Sequence, residues 1–541
     1  MATDESYARS EHGSRADGGI AAFVNAHIYW SIFLLAFVCA GVPRLVVFPL
    51  SVVHWDESIY TLVARDLTRG IIPLSGTFEH KPVALYYIYA LPQWFLGESV
   101  AAIRLLSMAI GIAGATLFGI LVRLTVTRDA AIVLTGTITY AFFSSLNKGL
   151  AAQPELIMNI VFMAVLVVLH FQFRTPEQKT RNSILIGVLW GVAFQANYLS
   201  GFLILGFVFD YIFLLHRSKS LAEATRAFLT GGLVIFASFS ATVFALLLPV
   251  MVWGDISEYF YLQKTFLTGY TLERSWIETI LQIPKVIDSY FLLVSLVATF
   301  VLFYSFHFFR KKEDIFFLFS DLSTRIIIYL PFVFVAIVAS KRVYAKYYLQ
   351  LLPLSILLLC LLLCSVTPKK YVRAFVCLWM VLFSAVSLDN ERFIFKAGAD
   401  GWAKVFDGRA PDVPSEIAKD ISGLLSENDT IYVYDYQMIL YHLSKVLPPT
   451  RFASPVHHLE EGYQKAMGID PSVEMTKIME HRPRFVITGS DPRTGEFGTA
   501  SKILAEKLGS DYVPFRTYDD RIFYETLRAN NNGRVEVFVL K

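Results

Sequence analysis

Residues 52–82 read VVHWDESIYTLVARDLTRGIIPLSGTFEHKP and crowd Asp56, Glu57, Glu79, His80 and Lys81 into one short segment. A carboxylate can take a proton from a hydroxyl, and an ammonium can balance a phosphate. The segment therefore has the parts for a group transfer at a phosphorylated substrate. Two further places carry comparable groups. NKGLAAQPELIMN sets Glu155 behind Pro154 at the mouth of an apolar run, and SKRVYAKYYLQLLP carries Lys341, Arg342 and Lys346. Each has a plainer reading. Asp56 suits a helix N-cap and Glu155 a helix first turn, where free N–H groups and the helix dipole favour a carboxylate. Lys81, ahead of Pro82, suits a lysine reaching lipid headgroups, and so do the cations at 341–346. Against these stands the cost of a carboxylate facing lipid, which favours a watery cavity at Glu155. No P-loop, dinucleotide glycine motif, paired-cysteine zinc spacing or serine elbow occurs. No basic polar domain offers itself to nucleic acid, and the spacing assigns no metal ligands.

The elements that must position these groups are membrane spans. The chain has 541 residues, is 55% hydrophobic and only 17% charged, which excludes an ordinary soluble domain. Eleven apolar segments are expected at roughly 28–50, 99–122, 130–147, 156–173, 183–198, 199–215, 227–252, 286–309, 326–340, 347–366 and 373–388. Lys and Arg gather in alternate loops: Arg123 and Arg128, then Arg174, Lys179 and Arg181, then Arg217, Lys219 and Arg226, then RKKED with Arg325, then PKKYVR. These loops share the cytoplasmic side with the N-terminal tail, 1–27, which lacks the features of a cleaved signal peptide. A transmembrane domain over 28–388 follows, with external loops at 51–98 and 253–285. Within the first of these, Ile59, Leu62, Val63 and Leu67 have helical spacing, as in an amphipathic helix lying on the interface and ending at Gly70. Three basic residues at 341–346 fall on the external side, against the usual charge bias, which favours an anionic ligand there. The tail, 389–541, is polar, with strand-like TIYVYDY, RFVITGS and VEVFVLK and a helical PSVEMTKIMEH. It reads as a small external α/β domain. The four cysteines lie in apolar runs and imply no disulfides.

With these residues in order, the chain resembles the GT-C membrane glycosyltransferases. The Asp56-Glu57 pair after the first span, Lys81-Pro82, FLGESVAAIRLLSMAIG and AKYYLQLLPLSILLL resemble motifs of the branch containing aminoarabinose transferases, galacturonosyltransferases and protein O-mannosyltransferases. The similarity runs over about residues 28–370. It implies a polyprenyl-phosphate-linked sugar as donor and a glycolipid, polysaccharide or protein acceptor. The expected setting is the periplasmic face of a bacterial inner membrane. On the family pattern Asp56 activates the acceptor hydroxyl, Glu57 is its motif neighbour, and Glu155 stands where a second acid, usually Asp, occurs. Lys81 contacts the donor phosphate, and Arg342 and Lys346 add charge for it. A single displacement with inversion is implied. EHKPV departs from the branch's Glu-Lys-Pro-Pro, which leaves a divalent metal open. A transporter of lipid-linked sugars is the rival reading, although transporters usually set their ionisable groups near the bilayer midplane.

Overall fold

The computed structural model describes residues 24–173, 176–218, 220–272, 275–287, 321–339, 341, 344–366, 370–521 and 533–541. The expected tail as far as residue 23, the span expected at 286–309 beyond Ile287, and Arg342 lie outside the described residues.

The fold is mainly α, that of a multi-pass membrane protein. Among the described residues six helices are long and apolar enough to cross a bilayer: α1 (Ile28–Val46), α4 (Val100–Thr125), α6 (Pro154–Gln172), α8 (Ser200–Arg217), α9 (Leu221–Trp253) and α14 (Arg373–Phe406). Shorter apolar helices are α5 (Ala130–Phe143), α12 (Thr324–Ala339) and α13 (Ala345–Leu361). The apolar stretch over 183–215 is two helices, α7 (Lys179–Ala196) and α8, joined by a tight turn. In that turn Asn197 Oδ1 accepts the N–H of Leu199 and the Asn197 carbonyl accepts that of Ser200. Two helices occupy the segment between α1 and α4: α2 (Trp55–Thr68) and α3 (Val83–Leu96). After α9 come α10 (Ile256–Leu272) and α11 (Trp276–Ile287).

Two expectations need correction. α2 is not open on one face as a surface amphipathic helix would be, because every residue from Glu57 to Asp66 is buried. Its polar face is covered by the C-terminal region: buried Arg65 donates through Nη1 to the carbonyls of Tyr441 (2.7 Å) and Val446 (2.9 Å). Just ahead of α2, Asp412 Oδ2 accepts the Ser51 N–H at 2.6 Å and its hydroxyl at 2.8 Å. Arg325 is likewise not a loop cation. It grips Asp210 of α8 through Nε (2.8 Å) and Nη2 (3.0 Å), and Tyr329 also donates to Asp210 (3.2 Å). A charge buried among helices survives only when paired in this way.

The C-terminal region carries a four-stranded sheet in the order β1-β2-β4-β3, with β1 (Ile431–Tyr434), β2 (Phe485–Thr488), β3 (Tyr512–Asp519) and β4 (Arg534–Leu540). β1 and β2 are parallel and buried on both faces, and the other pairs are antiparallel. The three strand-like runs are β1, β2 and β4. The strand that sequence reasoning missed, β3, is an exposed edge carrying Pro514, with a register break between Pro514 and Arg516. Those are features of an edge strand, and they hide the alternation on which a strand is recognised.

Candidate active site

Where the start of α2 meets the Lys81-Pro82 bend, the 197–199 turn and the segment after α12, the chain encloses a cavity of about 630 Å³. Its wall includes Asp56, Lys81, Lys148 and Lys346, several tyrosines, and Ser454, His457 and Glu460 from the C-terminal region.

Asp56 does not cap its helix. His54 is the N-cap, accepting the Asp56 N–H through Nδ1 at 3.2 Å, so the Asp56 side chain is released for another task. Burial, then the charges of Lys346 and Lys148, hold the His54 imidazole well below its usual pKa. A neutral ring accepting at Nδ1 carries its proton on Nε2. Asp56 Oδ2 instead pairs with Lys346 Nζ, and the Tyr60 hydroxyl approaches the same oxygen at 3.5 Å. Lys346 begins the turn of 3₁₀ helix Ala345–Leu351, which is fastened to α6 by Asn159 Nδ2 donating to the Leu349 carbonyl at 2.8 Å. Lys81 precedes Pro82, the extended N-cap of α3, and its side chain lines the cavity as the pre-proline geometry suggested.

The other two acids go elsewhere. Glu57, one residue along the turn, faces the bundle and pairs with buried Arg104 of α4, outside the cavity wall. Glu155 is buried behind that wall, where Oε1 accepts from Asn197 Nδ2 at 3.4 Å and Oε2 has no partner among the described residues. Asn197 does line the cavity.

Sequence reasoning passed over a third group. The ligating atoms of Glu79, His80 and His457 lie within 4.8 Å of one another. Burial would raise the Glu79 carboxyl, but the His80 charge and hydrogen bond, with His457 and Lys81, outweigh it and hold the pKa at about 2. His457 is fully buried, its ring nitrogens have no hydrogen-bond partner among the described residues, and Nε2 stands 3.9 Å from Glu79 Oε2. One carboxylate and two imidazoles suit a divalent cation such as zinc, and the orphaned nitrogens of His457 fit that use. The Phe78 N–H donating to the Arg451 carbonyl at 2.7 Å brings the two segments together. The clue available beforehand was the pair His457-His458 in PVHHLEE, but nothing in spacing ties it to residues 79–80. Lys148 was also overlooked.

No family model matches this chain, and no curated protein does. Solved structures share its fold. ArnT from Cupriavidus metallidurans bound to undecaprenyl phosphate aligns with a TM-score of 0.58 at 12% identity, over 96% of this chain and 98% of that one. The same protein in the apo state gives 0.57 at 13% identity, over 95% and 98%. The Archaeoglobus fulgidus oligosaccharyltransferase, tethered with an acceptor peptide containing the NVT sequon, gives 0.50 at 10% identity, over 92% and 73%. The fold expected from the motifs is the fold observed.

Proposed function

We propose that the protein is a membrane glycosyltransferase that moves a sugar from a polyprenyl-phosphate carrier to an acceptor hydroxyl. The observation that carries this reading is the release of Asp56 from capping. A carboxylate not needed for its helix faces a cavity that also holds Lys81, Lys148 and Lys346. The shared fold with a protein solved bound to undecaprenyl phosphate supports the donor class.

In this reading Asp56 takes the proton of the acceptor hydroxyl as its oxygen attacks the anomeric carbon. The bond from that carbon to the phosphate oxygen breaks, and its electron pair leaves on the polyprenyl phosphate. Lys81 and Lys346, with Arg342, oppose the charge that gathers on the phosphate. One displacement inverts the anomeric centre. Glu57 holds α2 in place, and Glu155, behind Asn197, sets the wall. Glu79, His80 and His457 would hold a divalent cation, which supplies fixed positive charge at the cavity edge. The acceptor is a glycolipid or polysaccharide of the envelope, lipid A-like, on the periplasmic face of a bacterial inner membrane, with 389–541 as the external domain. The transporter rival gains no support from the ion pair between α8 and α12, Asp210 with Arg325, whose charges already satisfy each other.

The test is mass spectrometry of envelope glycolipids and glycoproteins with and without the gene. Loss of one sugar from a glycolipid, restored by the wild-type gene but not by Asp56→Asn, is expected. Loss from proteins alone would move the acceptor to a protein. No change in either class would defeat the reading.

A further inference from the structure

Lys148 stands in a turn that a lysine should avoid. Asn147 and Lys148 both have positive φ, 53° and 69°, ahead of Gly149. Asn tolerates that region, whereas for most other L-residues it costs roughly 1–2 kcal/mol. Leu74, Lys341, Lys445 and Arg482 also adopt positive φ, and what sets Lys148 apart is its place on the cavity wall. Strain of this kind persists where surrounding structure enforces it, and it tends to accompany function.

The surroundings here are rigid. Buried Arg44 of α1 donates through Nη2 to the carbonyls of Ser144 (3.0 Å) and Gly149 (2.7 Å), and through Nη1 to Ser145 Oγ (3.1 Å). Glu391 accepts the Asn147 N–H at 2.9 Å, and the Tyr89 hydroxyl donates to the Ala152 carbonyl at 2.6 Å. A Cβ at Gly149 would run into the Ser144 carbonyl, so the chain can turn there only with glycine. The product of this scaffold is one exposed ammonium on the cavity wall. The charge of Lys148 reaches the Glu391 carboxylate, which accepts the Asn147 N–H, yet among the described residues the two side chains form no ion pair, whereas Lys346 pairs with Asp56. The charges of Lys148 and Lys346 both reach His54, next to Asp56, whereas that of Lys81 reaches Glu79. With Asp56 engaged by Lys346, the His54 side of the cavity keeps a positive charge.

We infer that Lys148 is an anion contact additional to Lys81, Arg342 and Lys346, which takes a carboxylate or phosphate carried by a substrate beside Asp56. This rests on the glycosyltransferase reading. The anion has two possible sources, an acid group on the transferred sugar or a phosphate on the acceptor, and Lys148 serves as a specificity-determining contact for either.

The experiment titrates purified protein in lipid nanodiscs with D-glucuronate and with sn-glycerol 3-phosphate, each with and without saturating undecaprenyl phosphate. Wild type is expected to bind at least one of them whether or not the lipid phosphate is present. Lys148→Gln should weaken that binding about tenfold and leave undecaprenyl phosphate affinity within about twofold, while Lys148→Arg retains both. Lys148→Asn, which suits the left-handed turn, gives a second neutral variant independent of folding effects. Glucuronate binding assigns the anion to the sugar, and glycerol phosphate binding assigns it to the acceptor. Equal binding by wild type and both neutral variants, or no binding of either anion by wild type, overturns the inference. If undecaprenyl phosphate itself fails to bind, the donor reading falls, and the titrations without lipid still decide Lys148.

Discussion

Replacing Asp56 by Asn separates chemistry from structure, because His54 already caps α2. The amide keeps the shape of the carboxylate and can still accept from Lys346. What is lost is one ion pair whose carboxylate side chain is 28% exposed, and such pairs contribute about 0–1 kcal/mol. For a protein of this size that shifts the melting temperature by no more than about 2–4 °C. Binding of the lipid phosphate should strengthen. A unit charge about 8 Å from a phosphate contributes about 0.5–2 kcal/mol for effective dielectric constants between about 80 and 20. Removing the negative charge of Asp56 therefore tightens undecaprenyl phosphate binding by about two- to thirtyfold. Transfer moves the other way, since loss of a general base costs about 10²- to 10⁴-fold. The assay pairs lipid-phosphate titration with single-turnover transfer from a polyprenyl-phosphate sugar, using one purified preparation. Weaker lipid-phosphate binding, or transfer within about tenfold of wild type, would refute the argument and remove Asp56 from the role of base.

Glu57→Gln should act on folding, because it leaves buried Arg104 unpaired at a cost of about 3–5 kcal/mol. Poor yield is expected, with recovery in Glu57→Gln paired with Arg104→Met; normal expression and melting of the single variant would contradict this. Chelation should lower the melting temperature, and added zinc should restore it, if Glu79, His80 and His457 hold a divalent cation. In that case His457→Gln melts at the chelated temperature and no longer responds to zinc; a zinc response unchanged in that variant would place the ion elsewhere. His442, buried against α2, has its pKa lowered to about 4 by burial and then by the charge of Arg65. The unfolded chain binds that proton first, so stability falls as pH drops from about 6.5 towards 4. Melting curves across that range should show a shallower fall for His442→Leu, and parallel curves would exclude His442 as a source.

The helices were legible because hydrophobic length survives any tertiary context. The 183–215 stretch divided as expected, since both of its flanks are basic and demand an even number of crossings. Arg325 misled for the same physical reason that makes it informative. A guanidinium reads as a loop cation unless its carboxylate, Asp210 on another helix, is known. Asp56 and Glu57 are chemically alike and adjacent, and only the helical rotation between them sends one to the cavity and the other to Arg104. Lys81 and Lys346 reached the cavity because proline geometry and the apolar run behind each fix where the chain can go. His457 and Lys148 were invisible for different reasons. The first depends on a contact across most of the chain, and the second on a backbone conformation that no pattern of residue types announces.

The two grips on α2 also order events in time. Ser51 is held by a residue 361 positions later, and Arg65 by carbonyls 376 and 381 positions later. At about 5–20 residues per second, a ribosome needs about 20–80 s to travel from Arg65 to Val446. Throughout that interval the helix bearing Asp56 lacks the carbonyls that accept from the Arg65 guanidinium. The nascent chain can therefore insert its spans while the Asp56 carboxylate is still loosely aimed. A protein whose translation stops before Asp412 would carry every lysine of the cavity and still present Asp56 on an unfastened helix. Seen from the ribosome, the C-terminal region is the closing step of assembly.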